Sequence, residues 1–252
     1  MTTVDLDRGG IQVISRAAAI LRCLENEPAG LSLGAIAKRI DLPRSTVQRL
    51  VDALALEQLL EVHGAGGVRL GPALIRLASR SHGDITQRAK PFLEALSTRT
   101  GETAILVHAH GAELMALHVA ISNQELRVAP VPGNFLAIHA TSGGKILLAG
   151  MSDRAVTQLL NEPLRSLTPN THTALLPLLE ELRQVRQEGF AYDREEHMIG
   201  VRAIATGIET PHGHYAISLA GPAFRIVAAQ DELRAALDEC RNALADALRS
   251  QG

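Results

Sequence analysis

The chain has 252 residues, 46% of them hydrophobic and 21% charged, and a net charge of −2. That supplies core for one large or two modest domains, and the near-neutral balance excludes a chain that holds a polyanion along its whole surface. No run of 18 or more apolar residues occurs, so no membrane-spanning helix is expected.

The opening "MTTVDLDRGG" lacks the basic-then-apolar pattern of a signal peptide, and Cys23 and Cys240 sit far apart in predicted helices as reduced thiols. A cytoplasmic protein is expected. Residues 15–25, "SRAAAILRCLE", predict a helix capped by Ser15. Ser32 caps a second helix over 33–40, which buries Ile36, Ala37 and Ile40. After "DLP", a third helix runs from Arg44 to Leu56. "LLEVHGAGGVRLG" then predicts two short strands around a glycine-rich turn at Gly64–Gly67. Each of these helices is too short to stand alone in water, so they share one small core: a winged helix-turn-helix over 11–71.

Residues 72–84 read as a linker helix, and helical pattern continues to Arg99 with breaks near 81–84 and at Pro91. From 103 onward strand signals dominate. "TAILVHAHGAELMALHVA" predicts two strands joined at His110–Glu113. "AYDREEHMIGVRAIATGIETPHGHYAISLAGP" predicts a second group, with a turn in "TPHGH". Helices over 144–160, 173–188 and 230–249 complete an α+β domain across 85–250, an antiparallel sheet with packed helices.

The third helix carries the first functional signal. Val47, Leu50, Val51 and Leu54 form one apolar stripe, at i, i+3, i+4 and i+7. Ser45, Arg49 and Asp52 fall on the opposite side, with Gln48 on its flank. Arg44 and Thr46 lie at the N-terminal end, where unbonded amides favour a phosphate. Arginine and glutamine make paired hydrogen bonds to base edges in the major groove, and serine and threonine contact bases or phosphates. Locally, Lys38, Arg39, Arg44 and Arg49 surround the single acid Asp41. Residues 1–82 hold 10 Lys/Arg against 8 Asp/Glu, and the remainder 15 against 19, a small asymmetry that is sharper in this local cluster. The expected partner is a double-stranded DNA operator. One module reads few base pairs, which implies a homo-oligomer, at least a dimer. In the wing, His63 and Arg69 sit near the turn and are either further DNA contacts or an ordinary exposed strand pair.

Five stretches, in this order, resemble the IclR family of bacterial transcription regulators: "LSLGAIAKRIDLPRSTVQRLVDAL" (31–54), "VRLGPAL" (68–74), "IHATSGGKILLA" (138–149), "DREEHMIGVRAIA" (193–205) and "AISLAGPAFRI" (216–226). The resemblance implies an N-terminal winged helix-turn-helix, a linker helix and a GAF-like C-terminal sheet that binds a small metabolite, often a carboxylate. It also implies dimers or tetramers. The family's effector contacts carry over to Gly143 and Gly144, Asp193, Ala203, Ser218 and Ala220. Alanine stands at 203 and 220, where some relatives have cysteine and serine.

The residues themselves agree in part. Ala216, Ser218 and Ala220 share one strand face, small and suited to lining a cavity, and Val201, Ala203 and Ala205 repeat it. Tyr215, Ile217 and Leu219 share the other, suited to packing under helices. Two glycines opening a helix supply bare amides that favour an anionic ligand. Lys145, in that first turn, is expected to be exposed. Asp193 either lines the pocket, caps a turn, or pairs with Arg194 or Arg202.

An enzyme is the main rival. His108 with His110, and His212 with His214, are i, i+2 pairs that could hold a metal on a strand, but no His-x-x-x-His or Cys-x-x-Cys spacing supports them. No Gly-x-Ser-x-Gly elbow occurs, and "TSGGK" lacks the spacing of a nucleotide loop. Neither enzyme activity, metal nor cofactor is expected. A second rival is a DNA-binding dimer whose C-terminal domain associates without sensing.

Overall fold

The computed structural model describes residues 8–249, apart from residue 26 and residues 65–66, 75–76, 78–82 and 211–212. The chain divides into two compact units, Met1–Gly83 and Asp84–Gly252.

The first unit holds α1 (Arg8–Leu24), α2 (Leu33–Ile40), α3 (Arg44–Leu56) and the antiparallel pair β1 (Leu60–His63) and β2 (Gly67–Leu70). Its core is small: Ile20 and Leu24 from α1, Ile36 from α2, Val47 and Val51 from α3, and Leu60 and Val68 from the wing. Ser32 caps α2 as its position predicts, accepting the Ala35 amide at 3.2 Å. The first helix departs from expectation. It begins at Arg8, so Ser15 lies inside it. Residues 12–15 are exposed, and a turn without core contact carries no apolar periodicity to betray it. Gly67 explains part of the glycine-rich wing: its φ is +75°, and a Cβ there would stand 2.7 Å from the Leu31 carbonyl oxygen. Leu31 bridges Val68 and adds a third short strand segment to the wing. The linker helix expected over 72–84 falls largely outside the described residues.

The second unit is a six-stranded antiparallel sheet of order β5-β4-β3-β8-β7-β6, built from β3 (Thr103–His110), β4 (Glu113–Ala120), β5 (Phe135–Ala137), β6 (Phe190–Arg194), β7 (Val201–Thr210) and β8 (Gly213–Pro222). Helices cover both faces. On one lie α4 (Gly83–Thr100), α8 (Ala223–Ala228) and α9 (Gln230–Arg249), packed on Leu106, Ile204, Tyr215, Ile217 and Leu219. On the other lie α5 (Ser142–Ala149), α6 (Asp153–Leu159) and α7 (Leu175–Glu188), over Ile105, Val107, Ala203, Ala216 and Ala220. The strand alternation therefore sorts bulky from small residues as the sequence predicts. A register shift between Leu106 and Val107 interrupts the β3–β4 ladder beside the small-residue face.

Pro91 does not break α4, which runs unbroken through it. Ile85, Ala89, Leu93 and Leu96 anchor that helix in the core while Pro91 is exposed, so packing outweighs one lost backbone bond. The helical stretch expected over 144–160 is two helices, α5 and α6, separated at Gly150–Ser152.

Candidate functional site

The turn between α2 and α3 positions the first candidate surface. Asp41 ends α2 in the left-handed conformation, φ 52°, and Pro43 precedes α3 without supplying a side-chain cap. The Thr46 amide bonds the Pro43 carbonyl at 2.9 Å, and no side chain caps the Arg44 and Ser45 amides ahead of it, which can meet an outside acceptor. Burial of Val47 and Val51 fixes the helix rotation. Arg44, Ser45 and Arg49 are exposed, and Thr46 and Gln48 half-buried. Gln48 donates to Asp52 at 2.7 Å, one turn on, which holds its amide along the exposed face. Arg39 does not join this set: it pairs with Glu27 at 2.7 Å. In the wing, His63 bonds Glu61 and Arg69 bonds the Ala29 carbonyl.

The second candidate is a cavity of about 390 Å³ on the small-residue face of the sheet. Ile105, Val107, Ser218, Ala220, Val201 and Ala203 form its floor. Thr141, Ser142 and Gly143, at the N-terminus of α5, close one side; Asp193, His197 and Met198 close another; residues 127–130 of the β4–β5 connection and Asn134 cross it. Five of the six family-implied contacts, Gly143, Asp193, Ala203, Ser218 and Ala220, meet here. Gly144 does not line the cavity. A Cβ on it would stand 2.0 Å from the Ile138 carbonyl oxygen, so this glycine lets α5 touch the 3-10 turn Ile138–Ala140.

Asp193 is 4% exposed. One of its oxygens accepts the amides of Glu196 at 2.8 Å and His197 at 3.3 Å, closing the turn after β6. It pairs with neither nearby arginine: Arg194 reaches Glu181 and Arg202 reaches Glu195. Burial pushes the Asp193 carboxyl up to about 7, against the pull of those two amides. Burial holds the His197 imidazole below its usual value, with Arg165 adding to the effect.

Lys145 overturns the expectation of exposure. It is fully buried, 2.6 Å from Glu196, 2.8 Å from Glu181 and 3.0 Å from the Tyr192 carbonyl. Its charge is already matched, so it does not neutralise a ligand. His172 bonds Glu181 at 3.0 Å, and His172, Glu181 and Glu196 bring three ligand atoms within 4.8 Å of one another. The Lys145 ammonium occupies the charge role a cation would have there. The partners come from positions 36 and 51 residues downstream, and sequence reading missed them for that reason. Of the predicted histidine pairs, His108 bonds the His214 carbonyl and His110 packs on Phe135, while His212 lies outside the described residues.

Two family models match. The IclR helix-turn-helix domain covers residues 13–64, and the bacterial transcriptional regulator IclR C-terminal domain covers residues 78–246. The chain belongs to the IclR family. It is a transcriptional regulator with a helix-turn-helix DNA-binding domain, not an enzyme. Among relatives of this IclR chain is the HTH-type transcriptional regulator TtgV of Pseudomonas putida, 42% identical over 230 residues, 91% of this chain and 88% of that one. An IclR homolog from Microbacterium hydrocarbonoxydans, solved in complex with 4-hydroxybenzoate, superposes with a TM-score of 0.81 at 26% identity, covering 95% of this chain and all of that one. The IclR of Thermotoga maritima shares the fold, with a TM-score of 0.74 at 23% identity over 94% of this chain and 99% of that one. Among the described residues, no helix is long and apolar enough to cross a membrane.

Proposed function

We propose that this regulator reads an operator with α3 and that a small metabolite, an organic acid, fills the C-terminal cavity and alters DNA binding or subunit arrangement. The reading of α3 rests on an N-terminus that no side chain caps together with the outward face of Arg44, Ser45, Thr46, Gln48 and Arg49. Arg49 and Gln48 suit base edges, and Arg44 a phosphate. The protein acts in the cytoplasm as a dimer or tetramer, which supplies the second half-site that one module lacks.

The observation that carries the sensing role is a cavity walled by the Gly143 turn, Asp193 and Ser218, and one structural neighbour was solved in complex with 4-hydroxybenzoate. The segment over 72–84 transmits the change to the spacing of the recognition helices. Such coupling requires that the ligand bind one arrangement more tightly than the other.

The test is a metabolite screen by thermal shift, followed by operator binding with and without each stabilising compound. Ser218→Leu fills the cavity. It is expected to abolish the ligand response while operator affinity without ligand stays unchanged. A variant that responds normally would remove the cavity from the mechanism, and a screen without any shift would favour a purely associating domain.

A further inference from the structure

Asp52 is the only acid in α3, and it is exposed. A carboxylate on a face that meets phosphates is repelled by them, so on charge alone it weakens binding to any duplex. Two side chains of the preceding turn are placed to pair with it: Arg49 at i−3 and Gln48 at i−4. The structure gives Asp52 Oδ1 to Gln48, whose Nε2 donates to it at 2.7 Å, and among the described residues Arg49 makes no ion pair with it. Arg49 thus keeps its guanidinium for an outside acceptor, and the acid serves the amide instead.

A primary amide carries two N–H donors and one acceptor oxygen. With one N–H held by Asp52, Gln48 keeps one donor and one acceptor. In the major groove adenine presents the complement of that pair, the N7 acceptor beside the N6 amino donor, whereas guanine presents two acceptors, N7 and O6. A freely turning amide can aim both N–H groups at guanine. One anchored on Asp52 cannot, and its Oε1 would face a guanine acceptor. Val47 and Val51, buried on the opposite side of the helix, fix the rotation that turns Gln48 and Asp52 outward together.

We infer that Asp52 is a positioning residue for base selection: by holding the Gln48 amide it commits that side chain to adenine, and against guanine, at one base pair of the operator. This rests on the reading of α3 as the recognition helix, and adds which base one of its residues selects and what aims it. The same carboxylate lowers affinity for DNA at large, so Asp52 sharpens discrimination from both sides: it favours the correct base and disfavours every other duplex.

The test enriches duplexes from a random-sequence pool on the full chain, then measures affinity for the enriched duplex and for copies in which each adenine in turn is replaced by guanine, with a scrambled duplex as reference. The unaltered chain is expected to prefer adenine about tenfold or more at one position. Gln48→Ala is expected to lose that preference. Asp52→Ala is expected to lose most of it at the same position, and to bind the scrambled duplex more tightly. Asp52→Asn keeps an oxygen acceptor for the Gln48 amide, so it is expected to retain the adenine preference while sharing the gain on scrambled duplex, which separates aiming from charge. An adenine preference that survives in Asp52→Ala, or is lost equally in Asp52→Asn, overturns the inference. So does a preference lost in Asp52→Ala at a different base pair from Gln48→Ala, since Asp52 would then touch a base itself. If Gln48→Ala changes no preference while Arg49→Ala relaxes one, the recognition helix stands and this inference falls. If no duplex is enriched, or neither Gln48→Ala nor Arg49→Ala alters any preference, both readings fall.

Discussion

The Lys145 ammonium lies 2.6 Å from the Glu196 carboxylate, and neither side chain is more than 4% exposed. A second carboxylate, Glu181, lies 2.8 Å from the same nitrogen. Two acids share one base in the interior, and they join α5, α7 and the turn after β6. Lys145→Met should therefore strand the buried Glu196 carboxylate and remove a partner from the partly buried Glu181, at a cost of about 3–5 kcal/mol. Urea denaturation of the full chain measures this. A loss below about 1 kcal/mol would mean the cluster is solvated.

Asp193 gives the stability of the second unit a pH dependence with a definite sign. Its carboxyl is raised to about 7 in the fold, chiefly by burial, with Glu196 raising it and Lys145 lowering it. The unfolded chain ionises near 4. The stabilisation from a proton held only by the fold is complete below about pH 4 and is lost as pH rises through about 7. Asp193→Asn should remove that slope, worth up to about 4 kcal/mol. The comparison is denaturation of both proteins from pH 4.5 to 7.5. Parallel curves would show that the carboxyl is ionised in the fold.

Gly143 and Gly144 should separate cleanly under alanine substitution. A Cβ at 144 meets the Ile138 carbonyl oxygen at 2.0 Å, and backbone cannot move aside cheaply. Gly144→Ala is expected to cost about 3 kcal/mol or more and to lower the melting temperature sharply. At 143 the Cβ meets Val107 Cγ2 at 2.6 Å and Ser218 Oγ at 2.9 Å, both side-chain tips on the cavity wall. Gly143→Ala should fold, at a cost of about 1–3 kcal/mol, and lose ligand response.

On α3, Arg49→Ala should cost about 1–3 kcal/mol on the specific operator and relax discrimination at one base pair. Arg44→Ala should weaken all DNA alike and reduce the salt slope by about one. Mobility shifts over a range of salt, with specific and scrambled duplexes, distinguish the two. Identical behaviour of both variants would mean that both touch phosphate.

The α2 and α3 boundaries and the two sheet faces were legible because each rests on local signals: a serine cap, a proline after a turn, and apolar spacing of 3.6 or 2. Ser15 misled because residues 12–15 of α1 are exposed and carry no apolar spacing. Pro91 misled because α4 owes its continuity to packing rather than propensity. Five of the cavity positions followed from the family resemblance. Gly144 was misassigned because a glycine needed for backbone approach and one needed for a cavity look alike in sequence. Lys145 was misread because its acids come from α7 and from the turn beyond β6, and no spacing rule connects them.

Three consecutive residues at the start of α5 answer to three different constraints: Gly143 to the cavity, Gly144 to the turn beneath it, and Lys145 to the interior acids. This segment has almost no freedom to drift. A change in what the domain recognises would have to come through Val128, Ala129, Pro130 or Met198, whose side chains face the same space without belonging to that knot. Directed evolution toward a new inducer should begin with a library at those four positions and leave the glycines untouched.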